Sequence, residues 1–291
     1  MERISRRLSI VLLVGLSTVL LGGAVTACQS GPSAKSIVDN AITNSAGVKS
    51  YKSVVSTSMT VEITSKDGPI TTSIGMDGMG FTDVTLKQSR TVLDFVIQDG
   101  DQPEQKLALD IYETDQWRYI KIPTSDTGEE WVKVRISPDG AGASGQMVQQ
   151  VDLLKTAKNA KIVDSEVVGG DDCYVLEMKP DAALLLGTLL RQSQSHFTVG
   201  IKESDFSEFD FTKIVKSVTL KQWISKRDSS FRKVSAEILM EMKPEDFKNS
   251  PGDFEKISFS LNMGLTFLNH NEPVDAAPPE EALQAQEMTL Q

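Results

Sequence analysis

The sequence predicts an α+β protein: a large curved antiparallel sheet, a half-barrel, with helices packed on its concave face. Three observations lead there. Long stretches alternate apolar and polar residues with period two, the pattern of strands dry on one side and wet on the other. Stretches with helical spacing fall between groups of strands instead of alternating with each strand, which argues against a parallel α/β design. The last third holds three long alternating runs, enough for a broad sheet with a single large apolar face.

The elements follow in chain order. Ser33 or Ser36 caps a predicted helix over residues 34–44, with Ile37, Ala41 and Ile42 on one face. From Tyr51 the period becomes two: Tyr51, Val55, Met59, Val61 and Ile63 share one parity, while Lys52, Ser56, Ser58, Thr60 and Glu62 occupy the other. The pattern recurs at Leu93, Phe95 and Ile97, at Leu107, Leu109 and Ile111, and at Val132, Val134 and Ile136, with turns around Asp99-Gly100-Asp101 and Asp126-Thr127-Gly128. This is an antiparallel meander. A Gly- and Ala-rich loop at 138–145 precedes a predicted helix at 146–157, and two strands at 161–168 and 173–178 flank the turn Gly169-Gly170-Asp171-Asp172. Residues 182–190 read as a helix capped by Asp181, too widely apolar for a single stripe. Such a helix must lie against something large and greasy. Runs at 214–224, 230–242 and 254–268 then complete ten to twelve strands, followed by a tail with a short helix from Glu280.

The N-terminus bears on compartment. Arg3, Arg6 and Arg7 precede an apolar run that ends in small residues at Thr26-Ala27, the layout of a secretory signal peptide over residues 1–27. Val25-Thr26-Ala27-Cys28 resembles the bacterial lipobox, which implies diacylglycerylation of Cys28 and a polar tether at 28–33. An uncleaved anchor or an ordinary secretory signal is the alternative, and all three place the domain outside the cytoplasm. Lipid anchoring is physically sufficient, since each buried acyl methylene is worth about 0.8 kcal/mol.

The formal charge of −10 becomes −12 once Glu2 and the three arginines leave, and an acidic surface disfavours nucleic acid. If Cys28 carries lipid, Cys173 has no disulfide partner in the chain and reads as a small buried hydrophobe.

Three segments resemble the LolA-like superfamily, including lipoproteins of the LppX and LprG type: Val167-Val168-Gly169-Gly170-Asp171-Asp172-Cys173-Tyr174-Val175-Leu176, Gln222-Trp223-Ile224-Ser225-Lys226, and Phe267-Leu268-Asn269-His270-Asn271-Glu272-Pro273-Val274. The resemblance implies a half-barrel over residues 34–275 whose apolar concave face accepts the acyl chains of a lipid or lipoprotein, with residues 276–291 as a tail. The expected lining is Met59, Val61, Ile63, Phe95, Leu107, Leu109, Leu186, Leu189, Leu190, Ile238, Met240, Phe259, Leu261 and Met263. Methionines 59, 76, 79, 240, 242 and 263 suit an adaptable pocket, or simply fill a core.

Little in the chain suggests catalysis. His196 and His270 are the only histidines, neither at a metal-ligand spacing, and both read as surface or loop residues. Asp171-Asp172 belongs to a tight turn, and Asp77-Gly78 and Gly80 make no phosphate-binding fingerprint. The acidic, aromatic segment 203–211 reads as a surface loop, with a lid or a partner contact as the alternative. The expectation is a non-enzymatic, membrane-tethered carrier without metal or cofactor. Its rival is an envelope sensor or interaction module of the same fold with a closed core, binding another envelope protein.

Overall fold

The computed structural model describes residues 31–124, 128–136, 159–180, 210–247 and 253–288. The predicted helices at 146–157 and 182–190, with Leu186, Leu189, Leu190 and His196, lie outside the described residues, as does all but the end of the 203–211 segment. Ala34–Gln291 forms one compact unit.

The chain begins with helix α1 (Ala34–Ser45) and continues into a meander: β1 (Ser50–Ser65), β2 (Gly68–Asp83), β3 (Gln88–Asp99), β4 (Gln105–Glu113), β5 (Trp117–Thr124) and β6 (Gly128–Arg135). A hairpin follows, β7 (Lys161–Val168) and β8 (Asp171–Met178). Then come a single helical turn α2 (Phe211–Ile214), β9 (Val215–Ser225), β10 (Phe231–Met242), a 3-10 turn (Pro244–Asp246), β11 (Lys256–Leu268), α3 (Glu280–Leu283) and β12 (Gln286–Glu287). The twelve strands form one open sheet in the order β12-β6-β5-β4-β3-β2-β1-β11-β10-β9-β8-β7. Every neighbouring pair is antiparallel except β12 with β6. The architecture is the α+β half-barrel that the periodicity predicts.

The pairing of β1 with β11 joins the early meander to the closing strands. In that register Val55 faces Leu265, Met59 faces Leu261 and Val61 faces Phe259. Apolar parity therefore continues from strand to strand, because side chains alternate with period two and partnered residues point the same way.

Two strands escape the periodicity. β2 is interrupted by Gly75, Gly78 and Gly80, and it places Met76 opposite Thr57 and Phe95 but Met79 opposite Val54 and Val92, on the other face. Met79 is thus an exposed outer residue and no part of a pocket. Gly78 has a packing reason: a Cβ there would lie 2.4 Å from the Val92 carbonyl oxygen and 2.6 Å from Leu93 Cδ2. β5 was hidden because its inner positions, Arg118, Ile120 and Ile122, mix charge with apolar residues.

The C-terminal residues do structural work on the outer face. Ala282 of α3 packs with Tyr112, Tyr119, Trp117 and Trp131, and β12 extends the sheet beside β6. At the opposite end of the strand order lies β7, whose first seven residues are exposed.

Gly78→Ala is expected to destabilise the protein by about 1–3 kcal/mol, the usual cost of forcing extra volume into a filled site. Urea unfolding measures it. An unchanged midpoint would show that β2 and β3 do not approach as closely as the structure places them.

Candidate functional site

The inner face, taken as the one that carries α1, is built from rows that cross the sheet. One runs Leu176, Gln222, Val234, Leu265, Val55, Gly78, Leu93, Leu109. The next runs Met178, Leu220, Ala236, Met263, Thr57, Met76, Phe95, Leu107, and a third runs Val218, Ile238, Leu261, Met59, Ile74, Ile97. Met240, Phe259 and Val61 begin a fourth. No charged side chain interrupts these stretches. Eleven of the fourteen residues named from the sequence are described, and all eleven take positions on this one face.

Coverage of the face is uneven. Ile37 and Ala41 of α1 are buried in a cluster with Tyr51, Leu176, Met178, Leu220, Ile224, Val234, Ala236, Leu265 and Phe267, which seals one end. Farther along, Ile238 is buried in a separate small group with Val215, Val218, Met240 and Leu261. Met59, Val61, Phe95, Leu107, Leu109, Met240, Phe259, Leu261 and Met263 are only half-buried, and Ile63 is exposed. Helix α1, at twelve residues, is too short to close over a face this wide. Among the described residues, a sealed apolar end thus continues into an apolar stretch that α1 does not reach.

Two polar residues sit within this surface. Gln222 is fully buried, and neither Oε1 nor Nε2 has a hydrogen-bond partner among the described residues; the Thr57 hydroxyl is in the same position. Each such group costs about 1–3 kcal/mol. Both were legible as breaks in parity, Gln222 between Leu220 and Ile224 and Thr57 between Val55 and Met59. Neither was singled out from the sequence, because a single polar residue does not disturb a period-two pattern.

A second cluster ties the loops at the α1 end. Arg232, 5% exposed, donates from Nε to Asp171 at 2.7 Å, from a terminal nitrogen to Asp228 at 2.9 Å, and from the other to His270 Nδ1 at 2.6 Å. It thereby joins the β7–β8 turn, the β9–β10 turn and the exit from β11. A guanidinium only donates, so Nδ1 accepts and the proton of the neutral ring sits on Nε2, which is buried and without a partner among the described residues. Asn271 Oδ1 accepts from the Lys49 N–H, and Asn44 donates to the Asp228 carbonyl, so the same loops hold the end of α1 and the entry to β1. A pocket of about 340 Å³ opens between these loops.

His270, read from the sequence as a surface or loop residue, is a half-buried contact within its loop. Burial and the Arg232 charge push its pKa down to about 4. Burial would raise the Asp228 carboxyl, but hydrogen bonds from the Ser230 hydroxyl and N–H, together with Arg232, outweigh it and hold the pKa at about 2. Cys173 is buried and free, and burial pushes its thiol up to about 11, as suits a packing residue. Among the described residues no group of three or more His, Cys, Asp or Glu is placed to hold a metal, and no helix is long and apolar enough to cross a membrane.

The sequence profile of a family of unknown function, DUF6612, matches residues 33–287, and the chain belongs to that family. No curated protein matches it in sequence. Among solved structures it is similar to LprF from Mycobacterium bovis, at 13% identity over 84% of this chain and 96% of that one, with a TM-score of 0.45. It is also similar to the lipoprotein LppX from Mycobacterium tuberculosis, at 15% identity over 84% and 98% of the two chains, with a TM-score of 0.39. A LolA superfamily protein from Nitrosomonas europaea matches at 12% identity over 84% and 96%, with a TM-score of 0.23.

The loop cluster makes stability depend on pH. The folded pKa of His270 lies below its ordinary 6.5, so the unfolded chain takes up the proton first. The stabilisation is complete above about pH 6.5 and is lost as the pH falls toward 4. The wild-type melting temperature should decline across that interval more steeply than that of His270→Asn. Parallel curves for the two proteins would contradict the assignment of this ring.

Proposed function

We propose that this member of the DUF6612 family is a binding or carrier protein for a lipid or other lipophilic molecule, held against the inner face of the half-barrel. A single observation carries the reading: the apolar face continues past the reach of α1, leaving Met59, Val61, Phe95, Leu107, Phe259 and Leu261 half-buried. Apolar surface left partly wet is unfavourable by roughly 25 cal/mol per Å², and a ligand with acyl chains would remove that cost. Unbranched methionines at 59, 76, 240, 242 and 263 can adapt to chains of different shape. The reading asks no side chain to make or break a bond.

The same proposal includes an anchor at Cys28, with residues 1–27 removed as a signal and the domain held at the extracytoplasmic face of a cell membrane. It follows from the Val25-Thr26-Ala27-Cys28 pattern. Leu186, Leu189 and Leu190, in the apolar run at 182–190, are proposed as further ligand-binding residues. The proposed 28–33 tether precedes the domain, which begins at Ala34 and, in place of a separate tail from 276, includes α3 and β12.

A second reading, an interaction module for another envelope protein, has one observation in its favour. β7 is an edge strand whose first seven residues are exposed, among them Ile162, Val163 and Val167, the last at 67%. Exposed apolar edges are the places where a further strand can add.

Mass spectrometry of an organic extract of the purified, unlipidated protein separates the two. Co-purifying lipid supports the carrier; a protein that emerges empty and binds no fluorescent fatty-acyl probe contradicts it. Leu261→Glu should weaken such a probe at least roughly tenfold, because it places a charge in the open stretch without removing a fully buried side chain. Unchanged probe affinity in that variant would place the ligand elsewhere.

A further inference from the structure

The inner face carries no charge in the rows that cross β8 to β4, yet it holds a buried amide. Gln222 lies between Leu176 on β8 and Val234 on β10, both of which pack in the cluster with Ile37 and Ala41 of α1. Its Oε1 and Nε2 have no partner among the described residues, and the side chain is fully enclosed. Apolar residues occupy the flanking inner positions, Leu220 and Ile224, so glutamine here departs from its immediate neighbours on the face. In the ligand-free protein it only destabilises. A second unpartnered group, the Thr57 hydroxyl, lies in the adjacent row, on β1.

Thr57 occupies the row that borders the stretch beginning at Met59, Leu261 and Ile238, and Gln222 lies one row farther toward α1. We propose that Gln222 is the hydrogen-bonding subsite of the ligand face and that its partner is the ester group of a neutral acyl ester whose chain lies along that open stretch. This deepens the carrier reading and rests on it. The amide nitrogen donates to the ester carbonyl, an interaction that a plain hydrocarbon cannot return. A free fatty acid fits less well, because its carboxylate would be buried in rows that contain no Lys, Arg or His to balance it. The ester reaches the amide only when α1 shifts from its closed position. The shift would expose Ile37 and Ala41, the two α1 side chains that are fully buried.

The test compares three probes of similar chain length, methyl oleate, oleic acid and 1-octadecene, in displacing a fluorescent acyl probe from the wild-type protein and from Gln222→Met. Methionine keeps the length and removes the amide, and it should raise the melting temperature of the empty protein. The wild type is expected to prefer methyl oleate over 1-octadecene by roughly tenfold, the worth of one buried hydrogen bond. Gln222→Met should keep the hydrocarbon affinity and lose the preference. Equal affinities in the wild type, or a preference that survives in the variant, overturns the subsite while leaving the carrier reading intact. Failure of all three probes to bind overturns both. A measurement on the wild type alone gives an independent answer: the carbonyl stretch of carbon-13-labelled methyl oleate should fall below its frequency in hexane when bound, and an unshifted band overturns the proposal.

Discussion

The pairing of β1 with β11 is the constraint on which the structure rests. It sits at the middle of the strand order and joins two blocks that are far apart in sequence. With Met59 opposite Leu261 and Val55 opposite Leu265, the apolar rows of both blocks merge into one face; a slip of one residue would turn every one of these side chains to the other side. Long strands make that register secure, because each additional apolar pair adds to the cost of slipping. They also make the face wide.

Width then sets the functional problem. A helix of twelve residues covers about 18 Å along its axis, while each strand step adds roughly 4.8 Å across the sheet, so α1 closes one end and leaves the rest to be covered by something else. The closed end is tied together: Tyr51 and Phe267 meet edge to face at 5.5 Å, and Arg232 joins the adjoining loops through Asp171, Asp228 and His270. The far end is not. A closed apolar end beside a partly wet apolar surface suits the proposed carrier role, since binding replaces water on hydrocarbon.

Much of this was legible in the sequence, for a physical reason. Period-two alternation in β1, β3, β4, β9, β10 and β11 reports directly which side chains share a face, and the register then only has to preserve parity. β2 was not legible, because Gly75, Gly78 and Gly80 replace inner and outer residues alike; the close approach that requires Gly78 depends on Leu93, a partner on another strand. Met79 was misplaced for the same reason. His270 looked like a loop residue and is one, but its contact with Arg232 joins it to a residue 38 positions away in the chain. Residues 276–288 gave no alternation to read, since β12 is only two residues long and its place is set by α3 packing on Tyr112 and Tyr119.

The inner face is the surface proposed to receive a guest. Nuclear magnetic resonance of carbon-13 methionine methyls in the presence of a spin-labelled fatty-acyl ester tests this most directly, because Met59, Met76, Met240 and Met263 lie on that face while Met79 lies on the other. Broadening of the four inner methyls with Met79 left sharp is the predicted result. Broadening of Met79 to the same degree, or of none of the five, would contradict it.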